Sequence, residues 1–572
     1  MPEPASEPET NAQAPSPEAL RRGVLEAAAA LGDGSRQADG ADGRGGGRGS
    51  LTLERPPKPE FGDYSTNAAL LLAPRLKAPP REVAERLGAE LQRALGGALE
   101  RAEVAGPGFL NLFMADEWLT AALARVLAEG EAYGAGAAAK AAPVMVEFVS
   151  ANPTGPLHVG HARNAAYGDA LARMLEFRGE PVTREFYVND AGTQVTVFGA
   201  SVQALARGEE LPEGGYQGDY VAKLATRVPG AADGEAGAVG RAAVTLMIGE
   251  IQASLVAFGV KDFDHWTYES TLHEGDPSPV ARALSLLEQL GHTYKSEGAL
   301  WLRTSELGDD KDRVLIRSSG EHTYFASDIA YHQDKRERGF ERQINVWGAD
   351  HHGYVQRLKA AYGALGGDPD DLELLIMQLV HLVRTGERAQ MSKRAGEFVT
   401  LDDLVAEIGV DAARWYLLAR SHDTTLDLDL DLARSQSNEN PVYYVQYAHA
   451  RICSVLAKAG AGRVEQAVAA SARAGAGEPA GEPLHASERA LVKQLLDVPG
   501  ELAVAAERRA PHRIAAYALE LAQGFTAFYR DCRVVGAEPA AVESRRLALC
   551  VASRGTIAAC LGLLGVGAPR EM

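Results

Sequence analysis

The stretch SANPTGPLHVGHARN, residues 150–164, sets His158 and His161 around a glycine where a β-branched run gives way to a helical pattern. Before it, VMVEFV (144–149) reads as a strand. After it, Tyr167, Leu171, Met174 and Leu175 fall at helical spacing between Gly160 and Arg178, until Gly179 ends the run. VTREFYV (182–188) is the next strand. Two strands joined by one helix make a βαβ unit with a right-handed crossover, and ligands of such units lie at the strand carboxyl ends. HVGH falls at that point. Histidines at i, i+3 can hold a metal, whereas a glycine opening a helix lets a phosphate-bearing ligand approach the backbone.

Outward from this unit the pattern continues. QINVWG (343–348) and LELLIMQLVHLV (372–383) supply further strands, HGYVQRLKAAYGAL (352–365) a helix, and the α/β domain is expected over 143–425. From NENPVYYVQYAHARICSVL (438–456) onward the chain reads as helical, with Val445, Ala448, Ile452, Val455 and Leu456 on one stripe and Pro441 in the first turn. A helical bundle is expected over 435–572, with AGAGEPAGEP (474–483) a mobile loop in it. Toward the N-terminus, REVAERLGAELQRAL and GFLNLFM alternate helix and strand, so 19–132 reads as a small α+β domain. Residues 1–18 hold too few large apolar groups to offset the entropy of ordering and are expected to be disordered. The glycine-rich 32–50 reads as a flexible loop, and YGAGAAAKAAP (133–143) as a linker.

Composition narrows the class. A chain of 572 residues, 46% hydrophobic, has apolar side chains for a large interior and several domains. It has no run of about 18 apolar residues, and MPEPASEPETNAQAPSPE resembles neither a signal nor a transit peptide, so a cytoplasmic location is expected. Cys453, Cys532, Cys550 and Cys560 form no C-x-x-C pair and are expected to be core thiols, with no zinc ribbon or disulfide framework. The net charge of -19 argues against indiscriminate polyanion binding and leaves room for a local basic groove.

HVGH resembles the HIGH signature of class I aminoacyl-tRNA synthetases, and QMSKR (390–394) resembles their KMSKS loop. The order of the two, on an α/β domain followed by a helical one, fits that class. VEFVSANPTGPLHVGHARNAAYGDAL, YVNDAGTQV, YFASDIAYH, WGADHHGY and NPVYYVQYAHARI are similar to the arginyl-tRNA synthetase family in particular. FGDYSTNAA (61–69), GPGFLNL (106–112) and the C-terminal RRLALCVASRGTIAACLGLLGVGAPREM extend the likeness over nearly the whole chain from about residue 51. The resemblance implies a Rossmann-like class I catalytic domain, an added N-terminal domain that meets the tRNA elbow, and an anticodon-binding bundle. It implies a monomeric arginine–tRNA ligase that uses ATP with Mg²⁺, has no tightly bound cofactor, and requires tRNA to activate arginine.

The chemistry accounts for the residue types. A carboxylate can attack the α-phosphorus of ATP unaided by a nucleophilic side chain, so the site must supply positioning and charge stabilisation. His158 and His161 can donate hydrogen bonds to the triphosphate, Gly160 leaves room for adenine, and the helix start contributes its positive end. Lys393 can follow the departing pyrophosphate; Gln390 stands where the family has a first lysine, with Arg394 beside Lys393 in partial compensation. The resemblance adds Pro153, Thr154, Gly155, Gly348, Asp350, Met391 and Ser392 to the ATP site. No H-E-x-x-H pattern or cysteine pair completes a zinc site, and no protein-held metal is expected.

Arginine presents a planar fork of donors that keeps its charge, so its pocket should offer carboxylates and a flat wall. Tyr324 and Asp328, four apart, supply both on one helix face. The resemblance adds Glu269 as a second guanidinium acceptor, Ser150, Asn152, Gln356 and His161 toward the amino-acid end, and Glu147 in their support. For RNA, Phe109 and Asn111 are candidate contacts to an unstacked base. Tyr443, Tyr444 and Tyr447 with Gln446, Arg451, Arg546 and Arg554 offer stacking surfaces and phosphate partners. Two other readings stand beside the ligase: a tRNA-binding paralogue without catalysis, which Gln390 permits, and a class I synthetase for another amino acid. Retention of His158, His161, Lys393, Tyr324 and Asp328 argues against the first. The pocket acids argue against an apolar substrate, and the lack of cysteines before residue 453 against cysteine.

Overall fold

A computed structural model describes residues 15–32, 50–136, 142–388, 399–475 and 482–572. The first helix, Pro17–Leu31, begins inside the stretch expected to be disordered. Ser16 accepts from the Ala19 amide at 3.0 Å, proline occupies the first turn, and Leu20, Val24, Ala27 and Ala28 are buried. It packs on helix Pro80–Leu95 beside a four-stranded antiparallel sheet in the order Leu53–Glu54, Tyr64–Thr66, Phe109–Met114, Leu99–Ala105.

The central sheet is parallel throughout. Its strands are β1 (Val144–Glu147), β2 (Val182–Val188), β3 (His265–Tyr268), β4 (Arg342–Gly348) and β5 (Leu372–Met377), ordered β5-β4-β1-β2-β3. All four residues of β1 are buried, as expected of a strand covered on both faces. Helix α1 (Val159–Phe177) crosses from β1 to β2, and the chain later returns on the other side of β1 to form β4. The strand order reverses between β1 and β4, and that crevice is where ligands of open α/β sheets bind.

Helix α2 (Tyr324–Glu337) leads into β4, and α3 (Val355–Ala364) joins β4 to β5 after a 3₁₀ turn over Ala349–Tyr354. The apolar run 372–383, expected as one strand region, splits after Met377. Val380–Arg384 leaves the main sheet and pairs in parallel with Leu426–Asp429, a strand past the limit of 425 expected for the α/β pattern.

The C-terminal part is helical, with α4 (Pro441–Ala459), α5 (Pro511–Asp531) and α6 (Ala540–Leu564) among its helices. The stripe Val445, Ala448, Ile452, Val455 and Leu456 is buried. Cys532, Cys550 and Cys560 are buried too, and burial pushes the Cys550 and Cys560 thiols up to about 12; Cys453 is half-buried.

Helix α1 is held along its flank by later parts of the chain, the bundle among them. Asp169, fully buried, accepts from Arg414 at 2.6 Å and Arg173 at 2.8 Å, and Arg414 also donates to the carbonyl of Leu564 at 2.9 Å. The Tyr167 hydroxyl donates to the Arg509 carbonyl, and Arg163 donates to the carbonyls of Gln378 (2.7 Å) and Ser421 (2.9 Å). The N-terminal sheet is latched to the bundle by Asp63, which accepts from Arg489 at 2.7 Å and Lys493 at 2.9 Å.

Candidate active site

The HVGH segment caps its own helix. His158 occupies the N-cap position, and its Nδ1 accepts from the amides of Gly160 (3.0 Å) and His161 (3.4 Å); His161 Nδ1 accepts in return from the His158 amide at 3.3 Å. The rings stack with centroids 3.7 Å apart. Burial depresses both imidazoles, His161 to about 3, where the neighbouring His158 adds to the effect. Both rings are therefore neutral at pH 7, and since each Nδ1 is an acceptor, each proton sits on Nε2.

This arrangement corrects one expectation. The amide of Val159 donates to the Val399 carbonyl at 3.1 Å, so the first three amides of α1 are all engaged within the protein. These amides donate to protein acceptors, and the N–H that each ring carries is its Nε2–H. Gly160 also has a reason beyond adenine, because a Cβ on it would lie 2.8 Å from the His158 ring.

Val399 and Thr400 close the segment that carries QMSKR. Thr400 bridges to His158, and the Leu401 amide donates to the Leu157 carbonyl at 2.7 Å. The far flank of the second motif is thus fastened beside the first. Gln390, Met391, Ser392, Lys393 and Arg394 themselves lie outside the described residues.

At the end of β1 the backbone turns sharply. Val149 and Ser150 both have positive φ, 68° and 38°, which is costly for residues with side chains. Asn164, from the second turn of α1, holds the turn. Its Oδ1 accepts from the Val149 amide at 2.6 Å, and its Nδ2 donates to the Val346 carbonyl of β4 at 2.7 Å, so one amide side chain spans the crevice. Ser150 Oγ donates to Glu147 at 2.9 Å and accepts from the Tyr187 amide at 3.1 Å.

Below Ser150 lies a buried polar chain. Glu147 accepts from Lys335 Nζ at 2.6 Å, and both side chains are almost wholly excluded from solvent. Lys335 reaches Asn345 at 3.4 Å and lies 4.1 Å from the Tyr331 ring centroid. Glu147 is therefore committed to the protein through both oxygens, which fits a supporting role.

Three further carboxylates, Asp328, Glu269 and Asp190, join Glu147 around Tyr187. Asp328 is pushed up to about 7, first by burial, then by Glu269 and Glu147; the hydrogen bond from the Tyr354 hydroxyl at 2.5 Å and the Arg357 charge act against this. Glu269 is raised by burial and by Asp190, which itself accepts from Ser270. The Tyr187 phenol is raised by burial and by Glu269, Asp328, Glu147 and Asp190 together, which puts it at the centre of the acids. Its ring packs on Tyr331 at 4.5 Å. Tyr324, one turn before Asp328, is 62% exposed at the mouth, with its hydroxyl toward Gly192.

The site thus joins Glu147, Ser150, Glu269 and Asp328, with His158 and His161 at the start of α1. Of the remaining candidates, Pro153 and Thr154 are buried in the turn before α1, Gly155 is half-buried, and Asn152 is exposed. Gly348 ends β4, where a Cβ would meet Asp350 at 2.5 Å; Asp350 and Gln356 are exposed. Tyr187, Lys335 and Asn164 were not picked out from sequence. The only hint was that polar residues stand where strand or helix pattern calls for apolar ones.

The RNA candidates separate. Phe109 is 40% exposed and Asn111 only 6%, so Asn111 faces inward and is not presented to a base, contrary to expectation. On α4, Tyr443 and Tyr447 stack at 6.1 Å, and the Arg451 guanidinium lies 5.8 Å from the Tyr447 centroid and 5.4 Å from that of Tyr529, a surface tyrosine the sequence reading passed over. Gln446 and Arg546 are corrected to structural roles: Gln446 binds Asp411 and the Gly567 carbonyl, Arg546 binds Glu488 and the Arg533 carbonyl.

Comparison with known proteins gives three family matches. Residues 43–114 match the arginyl tRNA synthetase N terminal domain, 122–213 and 271–438 the class I (R) tRNA synthetase catalytic domain, and 445–572 the DALR anticodon binding domain. An arginine–tRNA ligase of Moorella thermoacetica is 46% identical over 91% of this chain and 94% of its own, and one of Geobacillus kaustophilus 45% identical over the same shares. The Thermus thermophilus arginyl-tRNA synthetase structure superposes with a TM-score of 0.73 at 26% identity, covering 97% of this chain and 100% of that one.

Proposed function

The chain belongs to the arginyl-tRNA synthetase family, and from that premise we propose how its residues carry out arginine–tRNA ligation. The ligase activates L-arginine with ATP to arginyl-adenylate and pyrophosphate, then passes the arginyl group to the 2′-hydroxyl of the terminal tRNA adenosine, releasing AMP. The observation that carries the residue assignment is the cluster of buried acids, with Asp328 lifted to about 7 and Glu269 raised beside it. A site so rich in carboxylate is stabilised by a planar cation, and the guanidinium is one that keeps its charge when desolvated.

In this reading Asp328 and Glu269 take the guanidinium and Tyr324 covers it at the mouth. Ser150, Asn152, Gln356 and His161 hold the amino-acid end, with Glu147 fixing Ser150. The substrate carboxylate attacks the α-phosphorus, the P–O bond to pyrophosphate breaks, and the Nε2–H groups of His158 and His161 hold the negative charge that shifts onto the phosphates. Lys393, with Met391 and Ser392, supplies a cation for the leaving pyrophosphate. Pro153, Thr154, Gly155, Gly160, Gly348 and Asp350 line the nucleotide, and magnesium enters as part of the ATP substrate. Phe109 and the Tyr443, Tyr447 and Arg451 face meet tRNA. Asn111 supports the strand that presents Phe109. The enzyme acts as a cytoplasmic monomer.

ATP–pyrophosphate exchange with each of the twenty amino acids, with and without tRNA, tests the proposal. Exchange is expected with arginine alone and only when tRNA is present. Exchange with another amino acid would sink the pocket assignment, and tRNA binding without any exchange would favour a silent paralogue.

A further inference from the structure

Between β2 and β3 the chain makes a three-helix insert, Thr193–Arg207, Asp219–Arg227 and Ala236–Ala257. Most of it lies in residues 214–270, which fall between the two matched segments of the catalytic family model. Its first and third helices touch backbone to backbone. A Cβ on Gly199 would stand 1.9 Å from the Ala236 carbonyl oxygen, and one on Gly240 2.1 Å from that of Val195. Cross-braces close the unit: Ser201 Oγ accepts from the Tyr216 amide at 2.9 Å, Gln203 donates to the Gly234 carbonyl at 2.5 Å, and Arg207 to that of Ala232 at 2.6 Å. Packing this close leaves the insert little freedom to deform.

One side chain of the insert reaches the turn before α1. The Tyr220 hydroxyl donates to the Thr154 carbonyl at 3.0 Å, and its ring lies against Gly155, where a Cβ would meet the hydroxyl oxygen at 3.4 Å. Phe198 backs the ring at 6.4 Å between centroids, and Val221 and Leu224 on the same helix are fully buried. Thr154 and Gly155 sit in the NPTGP turn between the strained end of β1 and the histidine cap. Nothing in the catalytic reading otherwise uses Tyr220.

We propose that the insert is a rigid buttress for the nucleotide turn and that Tyr220 is a positioning residue for ATP, setting the height of the Thr154–Gly155 backbone by one hydroxyl and one ring face. This rests on the reading of that turn as part of the ATP site. Tyr220 acts on the turn alone, and Asp328, Glu269 and Ser150 owe it nothing. Its loss should therefore separate the two substrates of the activation step.

The test is steady-state exchange kinetics of the full-length enzyme carrying Tyr220→Phe, which removes the hydroxyl and keeps the ring, with the thermal midpoint measured alongside. The ATP KM is expected to rise about three- to tenfold, the range of one lost hydrogen bond, with the arginine KM and Tm unmoved. An unchanged ATP KM, or a parallel shift of both KM values and Tm, overturns the proposal. Gly155→Val, measured in the same way, probes the turn directly. If it raises the ATP KM while Tyr220→Phe does not, Tyr220 is not the positioning group. If neither variant moves it, the turn is not an ATP element and the underlying reading falls with the proposal.

Discussion

The two ends of the crevice solve opposite electrostatic problems. At the start of α1, His158 and His161 are neutral, stacked and engaged in each other's backbone, so the end proposed to hold the nucleotide is ordered before any ligand arrives. At the other end, Asp328 and Glu269 are held above their ordinary range by burial and by neighbouring acids, and that end is settled only when a cation enters. Preorganisation at the first end lowers the cost of reorganising dipoles as phosphate charge shifts. Repulsion at the second makes affinity depend on the charge of the ligand. A neutral analogue of arginine leaves the acids in conflict.

The largest effect is expected at the base of the acidic end. Lys335→Met should leave Glu147 buried without its partner and lower unfolding stability by about 3–5 kcal/mol, read by urea denaturation. Adding Glu147→Gln should restore most of that stability without restoring arginine-dependent exchange. If the single variant is as stable as the parent, the pair is not the base of the acidic end.

Next in size is a split at the histidine end. His158→Asn keeps a capping oxygen but removes the Nε2–H donor, so Tm should hold while kcat falls by about 10²–10³-fold. His158→Ala should lose activity and also about 0.5–2 kcal/mol of stability. Equal Tm losses in the two variants would show that the ring packs and does not cap.

Asn164→Ala attacks the member that spans both ends. It leaves the Val149 amide unsatisfied, at a cost of about 1–3 kcal/mol, and should raise the KM for ATP and for arginine together. A change in only one of them would mean that the crevice is held elsewhere.

The smallest effect is a titration. Asp328 is raised to about 7, and in the proposed role it holds the guanidinium as a carboxylate, so arginine affinity should fall about tenfold from pH 8 to pH 6. Asp328→Asn should flatten that profile at much weaker binding. The stability sign is reversed. A carboxyl raised in the folded state favours folding below its unfolded pKa, and that contribution is lost as pH rises through 7. The ligand-free Asn variant should therefore have the higher Tm at pH 8.

How much of this was legible depends on sequence distance. β1, α1 and β2 follow from local periodicity, and β2 begins and ends where VTREFYV does. The break after Met377 was hidden, because an apolar run carries no mark of which sheet each half joins. The first-turn amides of α1 read as open to phosphate; His158 engages two of them locally, and the third, that of Val159, is engaged by Val399, some 240 residues away. Asp328 was readable from its spacing to Tyr324. Its conflict with Glu269 and Glu147 was not, since those acids come from separate strand ends. Lys335 stands in the last turn of α2, a usual place for an exposed cation, and only the fold shows it enclosed. Asn111 stands two residues from Phe109 in the same strand, yet every residue after Phe109 is buried, so Phe109 alone is presented.

Helix α1 has a consequence for anyone wishing to cut this enzyme into parts. Its N-terminal turn carries the histidines proposed for the chemistry, while Arg163, Tyr167 and Asp169 along its flank are held by Gln378, Ser421, Arg414 and Arg509. A fragment ending where the sequence changes from mixed to helical would keep the histidines, strip their helix of Arg509 and deprive Arg414 of Leu564. Asp169 and Arg414 would lose cover, and an apolar flank would be wetted. The boundary visible in composition is thus no seam along which the molecule can be divided; excision of the bundle would injure adenylate formation before any question of anticodon reading arose.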